Sequence, residues 1–493
     1  MKKAIALILA IIGCCIILFT LSDYGLPWDE QVYYLAGDTY VNWLKNPALS
    51  NIDDYWIINN EHPPFYKLLG GITKYIFYYK LNWFDAITAF RLANLFFVFA
   101  MLFFLFLFSC ELYGLTVALF VTITFFFMPR LFYHAHIGAL DYPIMTIWFL
   151  VCYSYWKGIK DQKWIIVSSL LLGLALLTKL NSFYLYLPLL FYWIIQGKKN
   201  ATKKLLPLFW IPPIIFFAGW PYLWVDPLNR FFGYLNFHLG HVKIPVLYFA
   251  KQYLVAPWHY PFVLTLLTIP LIILIPFLIG LANFQSNQHK KTNYFILFNA
   301  FLPLIIIAMP NIPKYDGVRL FLPAFPFLYL LAGSGLNLLL SIPQNKLLKP
   351  GVTFIIIPIL ILATIYFPII KLHPFQQTYY NELLGGRKGA VNAGFELEYW
   401  GSPYKELIPW MNKNSGSSYY VYIALNIFQA YQRLGLLNEK IAFKHPRDSN
   451  YLILLNRQGT YNKMMWHYYL NKKPIYSVKS GGLSLVNVYK LRD

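Results

Sequence analysis

Apolar runs long enough to cross about 30 Å of hydrocarbon recur along the chain at 4–21, 90–109, 115–129, 142–156, 164–178, 182–196, 205–220, 261–281, 293–309, 320–340 and 352–370. The pattern predicts a polytopic α-helical membrane protein with about 11 transmembrane helices. The polar intervals are not equivalent. Lys2-Lys3, Lys157 to Lys163, Lys198 to Lys204, Lys290-Lys291 and Lys346 to Lys349 all fall on one side if these spans alternate. The positive-inside rule makes that side, and the N-terminus, cytoplasmic, and places the chain as a multi-pass protein of the plasma (inner) membrane. The other side receives 22–89, 130–141, the turn Thr178-Lys179-Leu180-Asn181, 221–260, 310–319 and the tail from Lys371.

Within the first outer loop, Gln31 to Leu44 and Phe65 to Tyr79 have the amphipathic period of helices lying along the interface, where they would form a lid over the bundle. After Lys371 the apolar residues fall into short alternating runs separated by Gly, Ser and Asn. The expectation is a transmembrane domain over 1–370 and an extracytoplasmic α/β domain over 371–493. In the latter, helices are predicted at Ser402 to Asn412, Asn426 to Leu436 and Thr460 to Leu470. Strands are predicted at Ser418 to Ala424 and Asn450 to Leu455, with a hairpin from Ile475 to Lys490 about Gly481-Gly482. No nucleotide-binding glycine fingerprint and no transporter-like internal repeat is evident.

Composition agrees with the periodicity: 58% hydrophobic, 20% aromatic and 12% charged residues exclude a soluble globular chain. The net charge of +21 comes from basic residues scattered among short loops rather than gathered in a stripe, so topology explains it and nucleic acid does not. Cys14, Cys15, Cys110 and Cys152 lie in or beside apolar segments, with neither metal-ligand spacing nor a disulfide framework. Lys2-Lys3 and the run to Leu21 lack a small-x-small cleavage site, which makes them an uncleaved first helix.

The chemistry-bearing residues sit on the outer side. Pro27-Trp28-Asp29-Glu30 follows the first span, and Glu61-His62-Pro63-Pro64 comes some thirty residues later. Adjacent acids there also suit a solvated helix cap. Asp141 stands where the chain re-enters the membrane; a carboxylate at that depth needs a partner or a wet cavity, although Asp141-Tyr142-Pro143 is also a good helix start. His134 and His136 suit interfacial histidines. Lys179, Arg91, Arg130 and Arg319 are cations at outer boundaries, available to a phosphate or to snorkelling.

Taken in order, Trp28-Asp29-Glu30, Glu61-His62-Pro63-Pro64, Arg91-Leu92, His134-Ala135-His136, Ala139-Leu140-Asp141-Tyr142-Pro143, Leu177-Thr178-Lys179, His373-Pro374-Phe375-Gln376, Tyr379-Tyr380-Asn381 and Gly385-Gly386 resemble a known family. It is the GT-C-fold, lipid-carrier-dependent glycosyltransferases, which include dolichyl-phosphate-mannose protein mannosyltransferases and bacterial aminoarabinose transferases acting on lipid A. The resemblance implies transfer of a sugar, with inversion, from a polyprenyl-phosphate donor to a lipid, glycan or protein acceptor on the non-cytoplasmic face. It implies Asp29 as general base, with Glu30 and Asp141 beside it. Partial burial near Glu30, Glu61 or Asp141 would favour the basic role by raising the Asp29 pKa. Glu61, His62, Lys179, Arg319 and Arg91 are then substrate-binding, with the donor phosphate on the cations. Where some relatives carry a lysine this chain has His62, so acceptor class does not carry over. The His373-to-Gly386 segment is expected to anchor the tail. No cofactor is required; a divalent ion held by Glu61 with His238, His241 or His259 is chemically possible. Membrane lipids are the other partners. The competing readings are a lipid or glycolipid transporter without chemistry and an enzyme taking a lipid-linked oligosaccharide.

Overall fold

The structure, a computed structural model, describes residues 1–197, 205–240, 242–285, 289–341, 362 and 366–491. The expected basic clusters Lys198 to Lys204 and Lys346 to Lys349, most of the expected span 352–370, and His241 lie outside the described residues. Among the described residues, four helices are long and apolar enough to cross a membrane: Lys2–Asp23, Ala86–Tyr113, Lys290–Ala308 and Arg319–Ser341. Shorter apolar helices are Lys163–Leu176, Pro207–Ala218 and Leu271–Ala282. Helix Asp141–Gly158 runs through the middle and is buried along nearly its whole length.

One expected span ends in a sharp bend before a proline, and another is broken at one. Leu115–Phe126 bends by 62° into Pro129–His136, where Pro129 restarts the helix in its first turn. The expected span 261–281 divides into Tyr260–Thr268 and Leu271–Ala282. Pro270 has no N–H to continue the ladder and pushes Ile269 to extended geometry. Carbonyls freed there do not go unpaired: Asn381 Nδ2 donates to Leu266 O at 2.6 Å and Ile269 O at 2.7 Å. The segment after the last span thereby pins the break. Small residues let helices touch backbone to backbone, as expected where lipid supplies no hydrophobic drive. A Cβ added at Gly280 would collide with Leu331 O, and one at Gly335 with Pro276 O.

The loop after the first helix forms helices Glu30–Lys45 and Phe65–Lys74, in contact through Gly37 and Gly71. Helix Glu30–Lys45 begins at a buried ion pair. Arg91 Nε and Nη2 each reach a Glu30 carboxylate oxygen at 2.6 Å, and Arg91 also donates to Leu21 O, Tyr24 O and Gly25 O. Gly138 N donates to Glu30 Oε1 at 2.7 Å. One guanidinium thus gathers the end of the first span, the loop start and the break before helix Asp141–Gly158.

Strands β1 (Val246–Tyr248) and β2 (Lys251–Tyr253) form a hairpin that the sequence did not predict. In the tail, β3 (Ser418–Val421), β4 (Ala442–Phe443), β5 (Tyr451–Leu455), β6 (Tyr476–Ser480) and β7 (Leu483–Lys490) form one mixed sheet in the order β4-β3-β5-β7-β6. β3 runs parallel to β4 and β5, while β7 runs antiparallel to β5 and β6. Helix Ile408–Lys413 precedes β3, and helices Leu425–Arg433 and Lys463–Asn471 lie between the strands in sequence. The sheet region docks directly on the first loop: Trp28 N donates to Trp400 O at 2.8 Å and Leu26 N to Tyr431 Oη at 2.7 Å. Gln252 in β2 donates to Gln458 O, Gly459 O and Tyr461 O.

Removing one partner of the Glu30–Arg91 pair strands a buried charge. Arg91→Met is expected to cost about 3–5 kcal/mol and to lower the thermal midpoint of the purified protein sharply. Asp53→Asn, which breaks a pair with Arg230 where Asp53 is 55% exposed, is expected to cost under about 1 kcal/mol. Equal midpoints for the two variants would remove the clamp role.

Candidate active site

A cavity of about 650 Å³ opens between the first loop, the bundle and the sheet region. Asp29, Glu61, His62, Asp141, Lys179 and Arg319 all line it. They arrive from five places in the chain, Glu61 and His62 together from one loop and the others each from an element end. Asp29 precedes helix Glu30–Lys45, Asp141 opens helix Asp141–Gly158, Lys179 follows Lys163–Leu176, and Arg319 opens the turn Arg319–Ala324.

Glu30 and Arg91 are not among the lining residues. Expected as a catalytic neighbour and a phosphate contact, they instead saturate each other beneath the cavity. The reason is local: residue 29 ends the loop and points out, whereas residue 30 occupies the first helical turn and points in. Arg130, also a phosphate candidate, stays outside the lining with its Nε on Tyr379 O at 3.2 Å and its guanidinium 4.8 Å from the Tyr380 ring centre. His134 and His136 are buried within the protein.

Alternating charges organise the site. Arg319 Nη1 donates to Asp29 Oδ2 at 2.5 Å, and its Nε lies 3.3 Å from Asp316 Oδ2. Asp316 Oδ1 in turn accepts from Arg457 Nη2 at 2.5 Å, and Arg457 Nη1 donates to Tyr399 O at 2.7 Å. Burial raises the pKa of the Asp316 carboxyl, against the opposing pull of Arg457 and Arg319. The Arg319 guanidinium also lies 4.6 Å from the Trp400 ring centre, a cation–π contact that fixes its plane. Opposite, Lys179 Nζ donates to Asp141 Oδ1 at 2.5 Å. Asp29 keeps 30% of its side chain exposed while Asp141 keeps 4%, so Asp29 is the more open of these two carboxylates.

The Glu61-His62 corner is held from behind by Lys67, which is fully buried in helix Phe65–Lys74. Lys67 Nζ donates to Asn59 O at 2.6 Å, His62 O at 2.7 Å and Asn59 Oδ1 at 3.0 Å. Asn59 Nδ2 then donates to Glu61 Oε1 at 2.6 Å, and His238 Nε2 contacts Glu61 O at 2.8 Å. Burial, then the charge of His238 and Lys67, lowers the His62 pKa well below its ordinary value. A neutral His62 offers hydrogen bonds and not a positive charge. No group of three His, Cys, Asp or Glu residues able to hold a metal ion occurs among the described residues. His259 of the expected set is turned to the Tyr248 hydroxyl at 2.7 Å. The four cysteines are free thiols. In the His373-to-Gly386 segment, His373 Nε2 lies 2.8 Å from Asp23 Oδ2, and Tyr24 Oη donates to Gln376 Oε1 at 2.8 Å.

Asp316, Arg457, Trp400 and Lys243 of the cavity wall are not among the residues the sequence pointed to. Asp316-Gly317 carried a turn signal, and both residues adopt positive φ, 56° and 63°. Arg457 carried none, because its partner Asp316 is 141 positions away.

Residues 61–223 match the sequence model of the dolichyl-phosphate-mannose-protein mannosyltransferase family. ArnT from Cupriavidus metallidurans in the apo state superposes with TM-score 0.52 at 14% identity, over 74% of this chain and 65% of that one. The same protein bound to undecaprenyl phosphate superposes with TM-score 0.54 at 12% identity, over 98% of this chain and 97% of that one. The chain has the GT-C membrane fold of ArnT. No curated protein sequence matches it. The GT-C superposition covers nearly the whole chain, so the sheet region is part of the likeness and not only the bundle.

Burial lowers the Lys67 pKa from 10.5 to about 7, with Glu61 opposing. Between those values the unfolded chain holds a proton that the folded chain has released, so folded stability rises with pH across that window. Thermal midpoints measured from pH 7 to 10 are expected to show this slope in the parent and to lose it in Lys67→Met. An unchanged slope would show that Lys67 does not titrate there.

Proposed function

We propose that the chain is an integral-membrane glycosyltransferase of the extracytoplasmic face, moving a sugar from a polyprenyl-phosphate-linked donor to an acceptor hydroxyl with inversion. The observation that carries this reading is the half-exposed Asp29 carboxylate facing a cavity in which Arg319 and Lys179 stand within ion-pair reach of Asp29 and Asp141. The full-length likeness to a structure holding undecaprenyl phosphate and the match to a mannosyltransferase family support it.

Such a reaction needs a base for the acceptor hydroxyl and a cationic seat for the departing phosphate. Asp29 takes the proton as the acceptor oxygen attacks the anomeric carbon. The carbon–oxygen bond to the phosphate breaks on the opposite face, which inverts the centre. The phosphate departs onto Arg319 and Lys179, with Lys243 on the same cavity wall. Arg319 is paired with Asp29, and the donor phosphate competes for the same guanidinium and releases the carboxylate. Asp141 acts through Lys179 and is a positioning residue. Glu61 and His62 face the sugar as hydrogen-bonding groups, fixed by Lys67. The acceptor is a lipid, a glycan or a protein. A mass increment missing from cell-envelope glycolipids or glycoproteins when the gene is deleted identifies both it and the sugar.

The test is transfer from a labelled polyprenyl-phosphate sugar in membranes. Asp29→Asn is expected to reduce transfer at least about 100-fold, the scale of a lost general base, while the purified variant keeps the parent thermal midpoint. Transfer at the parent rate would remove Asp29 from the chemistry.

A further inference from the structure

A second large cavity, about 660 Å³, lies at the other end of the bundle. Its position follows from the helices it shares with the candidate active site. Helix Asp141–Gly158 starts with Asp141 in the active-site cavity and ends with Trp156 and Lys157 in this one. Eighteen helical residues separate the two levels by about 27 Å. The positive-inside rule assigns this end to the cytoplasm.

Lysines from three separate helices and a loop converge here: Lys2, Lys157, Lys160, Lys290 and Lys291. Glu111 is the one acid of the lining, and it is already taken by Lys157, whose Nζ lies 2.5 and 2.6 Å from its two oxygens. The wall behind is aromatic and fixed: Trp156 Nε1 donates to Thr292 Oγ1 at 3.1 Å, and the Tyr192 ring stacks on Phe295 at 4.3 Å. The charge is therefore in surplus within a built cavity, which loop lysines scattered on a surface would not give.

An independent feature continues from it. Lys290 opens helix Lys290–Ala308, and the same helical face carries Tyr294, Phe298, Phe301 and Ile305 at intervals of three and four. These residues line an apolar groove of about 360 Å³, closed on its other side by Phe191 of helix Tyr186–Gln196, whose ring stacks on Phe298 at 4.5 Å. The helix length from Lys290 to Ile305 is about 22 Å, more than the roughly 15 Å of one hydrocarbon leaflet. A basic head site and an apolar groove on one helix face match the two ends of an anionic phospholipid.

We propose that this cavity binds the phosphate headgroup of an anionic phospholipid, with an acyl chain along the Tyr294–Ile305 face. Basic pockets between spans on the cytoplasmic side recognise lipid phosphates by charge and confinement together. The lysines supply charge-assisted hydrogen bonds to the phosphate oxygens, and Trp156 and Tyr192 wall the headgroup. The site is separate from the proposed transfer chemistry and does not depend on it.

The test is native mass spectrometry of the purified full chain titrated with phosphatidylglycerol, with phosphatidylcholine, or with soluble glycerol phosphate. The parent is expected to retain phosphatidylglycerol in preference to phosphatidylcholine and not to retain glycerol phosphate. Lys290→Gln with Lys291→Gln is expected to weaken phosphatidylglycerol binding about 30-fold, from the worth of two lysines near a lipid phosphate. Lys3→Gln with Lys163→Gln, outside the cavity lining, is the control and is expected to leave binding within about two-fold of the parent. Equal retention of the two phospholipids by the parent overturns the proposal without reference to any variant. Equal losses in the two double variants, or glycerol phosphate bound as tightly as the lipid, overturn it as well.

Discussion

Four side chains in a row, Asp29, Arg319, Asp316 and Arg457, tie the whole candidate active site together. The first comes from the loop after the first span, the next two from the loop before a late span, and the last from the sheet region. Each carboxylate in the row faces a guanidinium at 2.5 Å. Such burial is tolerated only with partners on both sides. The Asp29 end alone is left partly open. The sheet region therefore takes part in the cavity: through Arg457 it holds Asp316, and through Asp316 it sets where Arg319 can stand relative to Asp29.

The two acids adjacent in sequence illustrate how a helix start divides labour. Asp29 faces the cavity, and Glu30, one residue on, is buried with Arg91 and Gly138 N. The second pair makes the first possible, because it fixes the loop on which Asp29 is carried. Lys67 does the same for Glu61 and His62, holding two carbonyls and an amide oxygen of their loop on one ammonium. Both cations are fully buried, and both spend their hydrogen bonds on backbone as well as side chains.

Much of the fold was legible because it is written locally. Hydropathy marks the spans, and the tail's strands and helices appear where alternation and helical period place them, including the hairpin about Gly481-Gly482. What escaped depends on distant partners. The β1–β2 hairpin is held by Gln252 against carbonyls some two hundred residues away, and β4 is two residues long. The break at Pro270 also escaped, inside a run expected to be one span, and it is completed by Asn381 more than a hundred residues on. In the site, residue types at the outer ends of spans pointed to Asp29, Glu61, His62, Asp141, Lys179 and Arg319, which share one cavity. Arg91 carries the same kind of charge at the same kind of boundary and is structural, a difference set by burial that no spacing encodes.

On the function proposed above, Arg319 is shared between Asp29 and the phosphate of a polyprenyl-linked donor. A structure of the full chain with polyprenyl phosphate bound is then expected to show the phosphate in the cavity, within about 3 Å of Arg319 and Lys179, and the Asp29–Arg319 contact opened. A phosphate bound elsewhere, or an Asp29–Arg319 pair unchanged with the carrier in place, would contradict it.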